Sequence, residues 1–168
     1  MKIAYYAIGF MKLVVNQKGN KMFATKKDDS KNVVFSMVKK GLLSNTRVEL
    51  YNKMGYLLYS LKSDKKSRRA NFDVFLNEKI VMKASCTATF LNPAIAIKYL
   101  DITYILRSTD KMKFIVIKDK EEIGKINVME TLKGDLQFDM DIDDESFEDF
   151  MLLFNQMIYM SFYGKDNR

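Results

Sequence analysis

SFEDFMLLFNQMIYMSFY, residues Ser146 to Tyr163, decides how this chain folds. Phe147, Phe150, Met151, Leu152, Leu153, Phe154, Met157, Ile158, Met160 and Phe162 go round the whole circumference of a helix instead of forming one stripe. A helix that is apolar all round is either buried inside protein or spans a membrane. Glu148, Asp149, Asn155 and Gln156 interrupt the run, and a span needs about 20 apolar residues. The sequence therefore points to burial inside protein. Asp143, Asp144 and Glu145 place negative charge at the positive end of the helix dipole. Ser146 reads as the N-cap, with Asp149 three residues on as a capping box, and Gly164 as the stop. A central helix is expected over residues 146–163.

Such a helix needs partners on every side, and the preceding sequence offers strands. Leu136, Phe138, Met140 and Ile142 alternate with Asp135, Gln137, Asp139 and Asp141, the pattern of a strand with one buried and one wet face. The same period of two recurs at 33–37, 48–50, 57–61, 72–76 and 112–118. Turn residues separate the runs: Asn16 to Asn20, Asn52 to Gly55, Asn77 with Glu78, and Asp119 to Gly124. No helical stretch lies between strands to support a parallel sheet, so the spacing predicts an antiparallel meander. About a dozen strands are expected within residues 1–143. A barrel of about eight strands is filled by its own side chains, so one that holds a helix about 10 Å across needs more. The helix, roughly 25 Å long, is long enough to thread strands that rise about 18 Å. The expectation is a single, mainly β domain over 1–168: a closed antiparallel barrel of about twelve strands around a hydrophobic C-terminal helix.

Composition narrows the function classes. The only cysteine, Cys86, rules out an internal disulfide and points to a reducing compartment. There is no histidine, which removes the commonest general base and metal ligand, and with it a zinc site of the usual kind. The N-terminal MKIAYYAIGFMKLVV resembles a signal peptide only weakly, because Lys12 breaks the apolar run and no small-residue cleavage site follows; a pair of strands is expected there. Net charge is +7, and it is uneven. Residues 1–120 hold 24 Lys and Arg against 9 Asp and Glu, whereas residues 121–168 hold 4 against 12. Such asymmetry suggests one basic face open to an anionic partner.

The segments Val48–Ser63 (VELYNKMGYLLYSLKS), Phe72–Ser85 (FDVFLNEKIVMKAS), Phe114–Val128 (FIVIKDKEEIGKINV) and Leu136–Met160 (LQFDMDIDDESFEDFMLLFNQMIYM) resemble, in their order, small single-domain bacterial members of the tubby C-terminal-like superfamily. That group includes the LURP-one-related proteins and the phospholipid scramblases. The resemblance implies a twelve-stranded barrel skewered by its C-terminal helix, and partners among membrane lipids or proteins rather than catalysis. None of the family's phosphoinositide-binding residues is carried over to this chain.

The densest charge cluster is Lys62, Lys65, Lys66, Arg68 and Arg69, five cations in eight residues between two strands. Neighbouring cations hold phosphate by charge-assisted hydrogen bonds, and each gains about 1 kcal/mol beside an anionic leaflet. A merely solvated loop is the alternative. Asp139 to Asp144 mimics a calcium loop but has Asp144 where glycine is required and Phe150 where glutamate is required. Cys86 reads as a small buried residue. Without histidine or a GxSxG motif no nucleophile system is recognisable, and there is no phosphate-cradling glycine loop. No catalytic residue, cofactor or metal is expected. The reading is a non-catalytic, cytoplasmic module, peripheral to a membrane if its partner is lipid. It contacts anionic phospholipid head groups or an acidic protein through the five cations, without a transmembrane span; nucleic acid is the alternative partner for the same charge.

Overall fold

The computed structural model describes residues 9–42, 46–64 and 69–164. Twelve strands follow one another: β1 (Phe10–Lys18), β2 (Lys21–Lys26), β3 (Asp29–Lys40), β4 (Arg47–Asn52), β5 (Leu57–Asp64) and β6 (Asn71–Leu76). Then come β7 (Lys79–Ala88), β8 (Ala94–Tyr99), β9 (Ile102–Ser108), β10 (Lys113–Lys118), β11 (Glu121–Glu130) and β12 (Leu136–Asp143). Each pairs antiparallel with its neighbour in sequence, and β1 pairs with β12 from Phe10 opposite Asp143 to Asn16 opposite Gln137. The barrel is therefore closed, which leaves no sheet edge to template another chain. The expected fold is met.

The strands end where local chemistry turns them. In the β4–β5 connection Asn52 Oδ1 accepts from the Met54 and Tyr56 backbone N–H groups, each at 3.0 Å. Gly55 there has φ +86°. Asn77 and Glu78 both take positive φ (50° and 66°), as a two-residue hairpin turn requires. Two expected turns are shorter than their sequence suggests: of Asn16 to Asn20 only Gly19 and Asn20 turn, the first three residues belonging to β1, and the second lies between β10 and β11. There only Asp119 and Lys120 turn, and Gly124 belongs to β11. A side chain at Gly124 would run into the Asp141 carbonyl oxygen and stand 2.8 Å from Ile142 Cα. That glycine lets β12 lie close; it does not bend the chain.

Inward side chains alternate along every strand. Leu13 and Val15, Leu50, Leu61, Val74, Ile95, Leu106, Val116, Ile126 and Phe138 are all sealed from solvent. They close on the helix. A 3-10 turn (Asp149–Met151) leads into α1 (Leu152–Ile158), and a last π-helical turn (Tyr159–Tyr163) completes the run. Every residue from Phe150 to Ile158 is buried, including Asn155 and Gln156. At about 1.5 Å per residue the fifteen residues cover about 22 Å. Phe150 enters an aromatic cage with Tyr99 (4.8 Å between ring centroids), Tyr104 (5.8 Å) and Tyr59 (6.1 Å). At the other end Phe162 stacks on Phe114 of β10 at 5.6 Å.

The expected helix boundary of 146–163 is too early. Ser146 sits in the reversal that carries the chain from the wall into the lumen, its N–H donating to the Asp143 carbonyl at 3.0 Å. The residue capping the helix is Glu148, which makes no side-chain cap, and no capping box forms with Asp149. Turning inward from β12 uses the three residues that the sequence pattern assigns to the first helical turn. Gly164 does end the helix, but in an extended conformation, with its N–H on the Tyr159 carbonyl at 2.7 Å. Residues 1–8, part of the expected N-terminal strand pair, lie outside the described residues; β1 starts at Phe10.

Leu153 is fully buried between helix and wall. Leu153→Ala should lower the unfolding free energy by about 2–5 kcal/mol, read by chemical denaturation at unchanged m-value. A loss below about 0.5 kcal/mol, the range of surface substitutions, would mean that the helix does not fill the barrel.

Candidate functional site

The pairing register places cations that are far apart in sequence side by side on the outside of the barrel. Lys40 lies opposite Arg47, Arg47 opposite Lys62, and Lys62 opposite Asp73. Asp73 lies opposite Lys83, and Lys83 opposite Lys98. Their neighbours Leu61, Phe72 and Ile97 point inward, so this row is on the wet face. Six strands about 4.8 Å apart make an arc of about 24 Å. Five of its six positions are cationic. Like charges directly opposite each other across strands destabilise a sheet, and the row tolerates that at Lys40–Arg47, Arg47–Lys62 and Lys83–Lys98.

One buried carboxylate organises the first part of the row. Glu49, 5% exposed, faces outward between β3 and β5. It receives Lys40 Nζ at 2.8 Å and Arg47 Nε at 2.7 Å. The Tyr51 hydroxyl also donates to it, and Lys40 donates to that hydroxyl at 2.7 Å. Burial pushes the Glu49 carboxyl up, but the hydrogen bonds from Lys40, Tyr51 and Arg47 outweigh it and bring the pKa to about 2. The bond to Glu49, followed by that to Tyr51, raises Lys40 in turn. Lys62, Lys83 and Lys98 have no ion-pair partner among the described residues. Lys62 Nζ stands over the Phe75 ring, 5.3 Å from its centroid. Between them the outer wall of β4–β6 forms a groove of about 740 Å³, with Arg47 and Lys62 beside Leu58, Ser60 and Phe75. Glu49 and Glu78 line it too and offset the two cations, so the groove carries no net positive charge.

Of the five cations singled out in sequence, the structure places two. Lys62 belongs to strand β5 and not to a loop, because its pairing with Arg47 and Asp73 carries the strand on to Asp64. Arg69 stands at the start of the approach to β6, its Nη1 donating to the Thr87 carbonyl at 2.6 Å. Lys65, Lys66 and Arg68 lie outside the described residues. Arg47, Lys83, Lys98 and Phe75 escape a sequence reading because they are isolated along the chain and meet only through register. Cys86 is buried, and burial pushes its thiol up, away from the thiolate form. Asp139 and Asp141 face outward from β12. Among the described residues no His, Cys, Asp and Glu gather in threes to hold a metal.

Charge also separates along the barrel axis. We call the rim where the chain turns inward after β12 the head rim, and the opposite one, where the helix ends, the tail rim. Counting each connection with one strand residue on either side, the head rim has 6 lysines against 11 acids. The described residues of the tail rim have 8 cations against 4 acids. No described helix is long and apolar enough to cross a membrane. Compared with models of known protein families, with curated proteins and with solved structures, the chain matches none.

Glu49 makes a pH prediction. Its folded pKa of about 2 lies below the ordinary 4.5, so its contribution is present above about pH 4.5 and is lost as pH falls toward 2. Linkage makes this a stabilising contribution at neutral pH, reduced by solvent screening at the exposed Lys40 and Arg47 ends of the pairs. Glu49→Gln should therefore melt well below the wild type at pH 7, with the gap closing between pH 4.5 and 2. A gap independent of pH would show that the ion pairs do not stabilise the fold.

Proposed function

We propose that this protein is a non-catalytic binding module that holds anionic phospholipid surfaces by its basic outer wall. The observation that carries the reading is the cross-strand row of Lys40, Arg47, Lys62, Lys83 and Lys98. Glu49 offsets the repulsion at Lys40–Arg47, and Asp73 stands between Lys62 and Lys83; at Arg47–Lys62 and Lys83–Lys98 folding alone disfavours like-charge neighbours, and an anionic surface removes that repulsion and gains about 1 kcal/mol per cation. Membership of the tubby C-terminal-like superfamily is part of the proposal, supported by the closed twelve-stranded barrel and its central C-terminal helix. So is a peripheral place on the cytoplasmic leaflet.

Lipid is preferred over nucleic acid because the aromatic rings beside the cations are already engaged. Lys40 covers Tyr51 and Lys62 covers Phe75, at 5.2 and 5.3 Å from the centroids. Binders of single strands leave such rings open for bases to stack.

The test is co-sedimentation with vesicles. The protein should pellet with phosphatidylserine-rich vesicles and stay free of phosphatidylcholine ones. Binding should fall as the Debye length shrinks from about 10 Å at 0.1 M salt to about 3 Å at 1 M. Replacing Lys62, Lys83 and Lys98 by Ser should weaken it with the melting temperature nearly unchanged, since exposed substitutions shift stability by less than about 0.5 kcal/mol. A second variant, Lys65, Lys66, Arg68 and Arg69 to Ser, measures the share of the neighbouring cluster. Retention of a single-stranded or duplex probe at low salt, with vesicles ignored, would overturn the lipid reading in favour of nucleic acid.

A further inference from the structure

Large apolar side chains stand fully in water at the tips of separate connections on the tail rim. Leu42 follows β3, Phe90 and Leu91 join β7 to β8, and Leu132 joins β11 to β12. Leu42 is 85% exposed, Phe90 86% and Leu91 87%, and Leu132 is wholly exposed. Met112, between β9 and β10, is exposed as well. Single exposed apolar residues need no explanation, but a set gathered at one pole and rimmed by polar residues marks an interaction surface.

Cations interleave with these tips. Lys111 Nζ lies over the Phe90 ring, and the Ser108 N–H donates to the Pro93 carbonyl at 2.9 Å, so the β7–β8 and β9–β10 tips touch. On their other side the Arg69 guanidinium is anchored on the Thr87 carbonyl. Lys133 is next to Leu132, and Lys40 is two residues before Leu42. One of the rim's acids is committed locally: Asp110 Oδ1 accepts from the Met112 and Lys113 N–H groups at 2.8 and 2.9 Å. Apolar tips that project separately, set among Lys and Arg, match a bilayer interface, where apolar groups enter the boundary of the acyl chains and cations stay with the head groups. The head rim also exposes apolar residues, Met54, Tyr56 and Leu100 among them. It is surrounded, however, by Asp101, Asp119, Asp143, Asp144 and Glu145, which an anionic leaflet repels.

We propose that the barrel docks on an anionic bilayer with its tail rim down, Leu42, Phe90, Leu91 and Leu132 entering the interface while Arg69, Lys111 and Lys133 meet the phosphates. This rests on the anionic-bilayer part of the reading above and adds to it an orientation and a depth: the barrel axis stands up from the membrane, the Lys40, Arg47 and Lys62 end of the basic row lies at the membrane-facing rim, Lys98 lies one residue from the head rim, and the head rim faces water.

The chain has no tryptophan, so one introduced tryptophan is an unambiguous reporter. Phe90→Trp, Leu91→Trp and Leu132→Trp report the tail rim; Met54→Trp and Leu100→Trp report the head rim. With phosphatidylserine-rich vesicles, emission from the first three should move to shorter wavelength and be quenched by brominated acyl chains. The last two should not change. Replacing Phe90, Leu91 and Leu132 together by Asp should weaken vesicle partitioning at least about tenfold, because the apolar transfer is lost, at an unchanged melting temperature. If the wild type sediments with the vesicles but the tail-rim reporters stay unshifted, or the head-rim reporters shift instead, the orientation is wrong and the lipid reading stands. If the wild type sediments with no vesicle at low salt, both fall.

Discussion

Everything in this molecule follows from having to bury a helix that has no wet side. From Phe150 to Ile158 every residue is buried, so the wall must surround the helix. Closure between β1 and β12 achieves that. It also satisfies the backbone hydrogen bonds of every strand, since a closed barrel has no edge. Helix and wall are thus each a condition of the other: without the helix the lumen would be an apolar void, and without closure the helix would lie against water.

The same arrangement explains where the polar chemistry went. Inward positions are committed to packing, so charge is confined to the outward positions and the two rims. On the outside, register turns a scattered set of lysines into a row, and Glu49 fixes the Lys40 and Arg47 end of it by two ion pairs. At the rims, Asp143, Asp144, Glu145, Glu148 and Asp149 collect where the helix begins, at the positive end of its dipole. The charge imbalance between the two parts of the sequence thereby becomes a polarity along the barrel axis.

The fold was legible because its two signals are physical and local. A period of two marks strands, and apolar residues all round a cylinder mark a buried helix, whatever else surrounds them. What misled was boundary chemistry. Ser146 looks like a cap and is a turn, because the chain needs three residues to reverse into the lumen. Gly124 looks like a turn residue and instead relieves a close approach to Ile142. The candidate site was much less legible. A run such as Lys62 to Arg69 draws the eye, whereas Arg47, Lys83 and Lys98 look unremarkable until pairing sets them side by side. Cross-strand neighbours are a property of register, and register is fixed by the whole barrel.

Native-state hydrogen exchange tests the central claim, that helix and wall form one cooperative unit, most directly. The amides of Leu152 to Ile158 should exchange only through global unfolding, with the same free energy as the slowest amides of β1 and β12. Exchange of the helix amides at a clearly lower free energy than those strands would contradict it, because the helix would then leave the barrel while the wall stayed closed.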